Sequence, residues 1–152
     1  MKPMTTFFKS KLVTCILSLF LPGTGLHWLY LKGFSSVWFY VQIFSLGLGL
    51  WGWSELVATD KESLLGWITT ALGYMSLLAS WLATLAFGLR PDELWDKQFN
   101  QSSTAHSQSG WLVILCVICA LLIGAFVLMS GLAIAFEQYF TIQIEASRKI
   151  SQ

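Results

Sequence analysis

Charge is scarce in this 152-residue chain: charged side chains make up 11% of it and hydrophobic ones 55%. A soluble domain carries roughly a quarter charged residues, so the deficit is large. At a net charge of +1 there is no bulk electrostatic case for nucleic acid as a partner. Cysteine is sparse too. Cys15, Cys116 and Cys119 all lie in apolar runs, and read as small apolar residues, not as a disulfide framework. Cys116 and Cys119 have CxxC spacing, but a zinc site needs four ligands. The two histidines, His27 and His106, sit on other segments, so no metal is expected. Catalytic signatures are missing as well. Neither HExxH nor GxSxG occurs, and no serine has a motif that sets it beside a base and an orienting group. The chain is expected to be no enzyme and to carry no cofactor. Lys2, Lys9 and Lys11 precede an apolar run, but a small-x-small cleavage site is lacking, so the segment reads as retained.

What the chain does have is four long apolar stretches: residues 12–31, 34–53, 64–89 and 111–136. Crossing a hydrocarbon layer takes about 20 such residues as a helix. The expected fold is therefore all-α, an integral membrane protein with four transmembrane helices, the first broken at Pro22-Gly23. Tryptophan and tyrosine mark the ends: Trp28 and Tyr30, Trp38 and Tyr40, Trp51 and Trp53, Trp67, Trp111 and Tyr139. Such side chains settle at the headgroup level. Lys32-Gly33 reads as a tight turn, and residues 53–63 as a short acidic connection. The polar loop 90–110 holds Leu94, Trp95 and Phe99 at the spacing of one helical face, and residues 137–152 read as a hydrophilic extension of the last helix. Four crossings place Lys2, Lys9, Lys11, Lys61, Arg148 and Lys149 on one side and Lys32, Arg90 and Lys97 on the other. The positive-inside rule then puts both termini in the cytoplasm.

Small residues recur along the later spans. Ser76, Ser80, Thr84 and Gly88 are each four apart; the fourth span has Ala120 and Gly124, then Gly131 and Ala135; the second has Gly47, Gly49 and Gly52. These faces suit close helix packing. As a polar path for a solute the hydroxyl stripe is the weaker reading, because no charged residue lies inside spans two to four.

The first span carries the most distinctive pattern. Pro22 removes a backbone donor, Gly23 and Gly25 permit a kink or close contact, and His27 shares a face with Tyr30 and Leu31. The basic lead-in of Lys9 and Lys11, then Gly23, Gly25, His27, Tyr30, Leu31 and Gly33, then Trp51 and Glu55, resemble the two-transmembrane-helix (TM-two) domain family. That family typically shows Gly-x-Gly-x-His-Arg-Phe-Tyr-Leu-Gly and a second helix ending in Trp with an acidic residue four positions on. Trp28 stands where Arg is usual, Leu29 where an aromatic is usual, Lys32 is inserted before Gly33, and Glu55 replaces Asp. The resemblance implies a TM-two-like unit over residues 1–57, with 58–152 adding two further spans. It implies a location more than an activity. His27 is expected to make a structural hydrogen bond, with a haem or pigment metal as the alternative.

These features together point to a non-catalytic protein of the bacterial cytoplasmic (inner) membrane. It would be an accessory or structural subunit whose partners are the lipid bilayer and other membrane-protein helices, in a hetero-complex or as a homo-oligomer. The alternative is a small oligomeric channel or transporter.

Overall fold

The computed structural model describes residues 8–150 except 102 and 104. Among these the fold is all-α, with six α-helices: α1 (Lys11–Phe20), α2 (Leu26–Lys32), α3 (Val37–Ala58), α4 (Leu64–Gly88), α5 (Asp92–Phe99) and α6 (Trp111–Ile150). A short 3-10 turn, Gly33–Ser35, joins α2 to α3. Two helices, α4 and α6, are long and apolar enough to cross a membrane.

The stretch 12–31, expected to run as one broken span, is a hairpin. Its first arm, α1, stops after ten residues because proline follows. The residue before a proline is pushed out of the helical region, and Leu21 sits at φ −122°, ψ 56°. Gly23 and Gly25 then take left-handed φ values of 77° and 71°, which a side chain would disfavour by about 1–2 kcal/mol. The chain reverses there, and α2 runs back beside α1. The two open ends meet: the Lys9 ammonium donates to the Leu31 carbonyl, and the Ser10 amide donates to the Tyr30 hydroxyl at 2.9 Å.

A second reversal links α3 to α4. The Lys61 amide donates to the Leu56 carbonyl at 2.8 Å, closing the end of α3. Ser63 starts α4 by accepting from the Gly66 amide at 3.1 Å, satisfying one of the free donors of the first turn. The two helices then pack antiparallel through small residues, with Gly49 against Gly73 and Gly52 against Thr69 and Gly66. This contact runs across the 57/58 boundary drawn from the sequence.

The other face of α4 receives α1 and α6. Cys15, Leu19, Trp81, Val113, Cys116 and Ala120 form the buried core there. The indole of Trp81 donates to the Leu19 carbonyl at 3.3 Å, so the largest core side chain also has its polar atom satisfied. Farther along, the Tyr74 hydroxyl donates to the Val127 carbonyl next to Gly131. Contacts pair falling numbers on α4 with rising ones on α6, from Gly88 with Val117 to Tyr74 with Gly131, so the two run antiparallel.

Candidate functional site

The hairpin places the motif residues at two depths. At its tip, the Gly23 amide donates to the Ser80 hydroxyl at 2.8 Å, and the Ser76 hydroxyl donates to the carbonyls of Gly23 (3.4 Å) and Gln42 (3.2 Å). The Gln42 carboxamide donates to the same Ser80 oxygen at 3.3 Å. One helical turn along, Ser18 and Thr84 share a hydrogen bond of 2.7 Å. Gly25 lies against α3, where a Cβ would come within 3.0 Å of the Phe39 carbonyl oxygen. Ser76, Ser80 and Thr84 are therefore the seat of the hairpin tip. Gly88 continues the stripe against Val117 and Cys15. Ser76, Ser80 and Thr84 are all buried where the hairpin packs on them.

Near the open end of the hairpin, His27 is wholly buried, and neither ring nitrogen has a hydrogen-bond partner. The structural hydrogen bond expected of it is absent among the described residues. Its surroundings are aromatic: the Trp28 ring lies 5.5 Å away and the Phe87 ring 6.2 Å. Phe87 in turn meets Trp95 at 5.9 Å. Leaving a buried polar group unpaired costs about 1–3 kcal/mol. Tyr30 spends its hydroxyl on the Ser10 amide, and Gly33, at φ 69°, borders open space. Trp51 and Glu55 do not join this group. They lie toward the far end of α3, nine and thirteen residues beyond Gln42, which is roughly 14 and 20 Å at helical rise. There the Glu55 carbonyl accepts from the amide and hydroxyl of Thr59.

Of the remaining small residues, Ala120 is fully buried, and a Cβ added to Gly124 would lie 3.5 Å from the Trp81 Cβ. Gly131 lies under the Tyr74 ring. Ala135 is exposed.

The helix α5 closes the end of the molecule where the hairpin opens. Its face is set by Trp95, which is fully buried and donates to the Lys9 carbonyl at 3.0 Å. Asn100 holds Lys9 from both sides, accepting from its amide at 2.9 Å and donating to its carbonyl at 3.2 Å. Lys11 is buried and spreads its three donors over the Arg90 carbonyl, the Asp92 carboxylate at 3.0 Å and the Ser109 hydroxyl at 2.7 Å. Burial pulls the Asp92 carboxyl upward, but hydrogen bonds from Ser109 and Lys11 outweigh it and hold the group below its ordinary value. The same balance, with Asn100 and Ser107 as donors, holds Asp96 low. None of these residues was legible as a partner of another; only the basic lead-in and the spacing of Trp95 and Phe99 signalled them.

Chemically, the bonds of Ser76, Ser80, Lys9, Lys11 and Asn100 hold backbone turns and loops together, while both His27 nitrogens and the Gln42 Oε1 are left without a hydrogen-bond partner among the described residues. Among the described residues no three His, Cys, Asp or Glu side chains come close enough to hold a metal ion. An open apolar groove of about 450 Å³ runs between α4 and α6, lined by Leu78, Leu82, Leu85, Leu121, Ala125 and Leu128. It lies along the same helix pair that α1 contacts. In comparisons with protein-family models, curated proteins and solved structures, none matches the chain.

Proposed function

We propose that the chain is a non-catalytic integral membrane protein of the bacterial cytoplasmic membrane, an accessory or structural subunit that packs against other membrane-protein helices. One observation carries the reading. Helix α6 is 40 residues long, yet from residue 132 to 144 it leaves Leu132, Ile134, Phe136, Tyr139, Phe140, Ile142 and Ile144 exposed. In water such a surface would be intolerable, and a bilayer with a neighbouring helix covers it. The open groove between α4 and α6 offers a second apolar helix a place to lie.

The same reading takes residues 1–57 as a TM-two-like unit. Its support is local: the three glycines shared with the family pattern, Gly23, Gly25 and Gly33, all have positive φ. An L side chain would be strained at each.

A tagged chain, drawn from native membranes in mild detergent and examined by mass spectrometry, tests the proposal. The expected product is a stoichiometric complex with at least one further membrane protein. Recovery as a lone small oligomer would overturn it and make solute flux in liposomes the next measurement.

A further inference from the structure

We infer that residues 12–31 enter the membrane only to half its depth and return, so that the chain crosses three times and its two termini lie on opposite faces. This rests on the membrane reading above and departs from the four-crossing orientation. The first argument is length. A ten-residue helix spans roughly 15 Å, half of the ~30 Å of hydrocarbon, and α1 has ten residues. The second is where the ends go. Lys9 and Ser10, before α1, bond to Leu31 and Tyr30, at the end of α2. A crossing segment would hold these residues on opposite faces.

The tip is built for depth. Gly23 bonds to Ser76 and Ser80, near the middle of α4, which runs from residue 64 to 88. Irregular backbone at that depth is tolerated where protein covers it and satisfies its polar groups. Ser80 and Ser76 satisfy the amide and carbonyl of Gly23, and Gln42 packs beside Gly25.

The remaining helices then fix the count. If α4 crosses, α3 crosses with it, because the two are in contact from Gln42 beside Ser76 to Leu56 beside Gly66. Helix α6 starts at the hairpin's open end, where Val113 borders Gly88, and runs past Tyr74 to the other. Three crossings put Lys2, Lys9, Lys11, Lys32, Arg90 and Lys97 on one face and Lys61, Arg148 and Lys149 on the other. The basic excess now favours a cytoplasmic N-terminal face, with the tail of α6 outside.

Different epitope tags ahead of Met1 and after Gln152, in one full-length chain made in a bacterial host, separate the possibilities. Protease added to sealed inverted vesicles should remove the N-terminal tag alone, and protease added to right-side-out vesicles the C-terminal tag alone. In a Ser35→Cys variant, a membrane-impermeant maleimide should label from the same face as the N-terminal tag. Removal of both tags from the same vesicles, or labelling of position 35 from the opposite face, overturns the half-depth hairpin. Recovery of the chain in the soluble fraction, not in alkali-washed membranes, overturns the membrane reading itself.

Discussion

At Gly49 an added methyl group would sit 2.5 Å from the Gly73 Cα, whereas at Gly47 it would meet nothing within 4 Å. Both are helical, so alanine gains about 0.5–1 kcal/mol of backbone entropy at either site. At Gly49 that gain is overrun, because the neighbour is backbone and overpacking of this kind costs about 1–3 kcal/mol. Thermal unfolding in detergent should therefore show Gly49→Ala melting below the parent protein and Gly47→Ala melting level with it or above. Equal melting of the two variants would mean that α3 and α4 do not touch at Gly73. The carboxyl of Asp92 makes a prediction of a different kind. Its folded value lies below its ordinary 3.8, so the folded state favours the ionised form. That contribution is complete above the unfolded value and drains away as pH falls through the folded one. Unfolding followed from pH 7 downward should be flat until about pH 4 and then weaken, and Asp92→Asn should weaken less steeply over the acid range. Identical slopes would show that the Lys11–Asp92 pair contributes nothing to acid stability.

Among the elements, the hairpin depends on one hydroxyl more than on any other. Ser80 accepts from both the Gly23 amide and the Gln42 carboxamide. Ser80→Ala leaves two buried donors without an acceptor, at a cost of about 1–3 kcal/mol each. Ser130→Ala, an exposed hydroxyl that bonds only its own helix at Phe126, should stay within about 0.5 kcal/mol. Matched stabilities of the two variants in chemical unfolding would remove Ser80 from the hairpin's support. The stripe that includes Ser80 was legible in the sequence, because its four-residue spacing is a helical signal. The break at Pro22-Gly23 was legible for the same kind of reason, as was a short helix through Trp95 and Phe99. The direction of the chain after the break was not. It depends on the left-handed turn at Gly23 and Gly25 and on bonds from Lys9 and Ser10 to residues some twenty positions away. Periodicity carries no information about such pairings. Trp51 and Glu55 were singled out by the family pattern, and a straight helix carries them away from His27.

For the molecule as a whole, the question is which outward surface a partner helix uses. Lipid alone exerts no hydrophobic pull between helices, so association depends on close fit. The groove between α4 and α6 supplies that fit through Ala125 and the facing leucines, Leu78, Leu82 and Leu85. The outward face of α3 instead shows exposed bulk at Trp38, Phe44, Leu50 and Trp53. Ala125→Trp would fill the groove from an exposed position, without touching the Gly49–Gly73 contact or the hairpin seat. It should melt within a few degrees of the parent while losing most of the complex recovered from native membranes. Leu50→Ala, on the outward face of α3, should melt similarly and keep the complex. If Leu50→Ala loses the complex and Ala125→Trp keeps it, the partner sits on α3 and the groove is left to lipid. The comparison is informative because both sites face outward: a shift in partner recovery without a shift in melting separates a docking face from a folding defect.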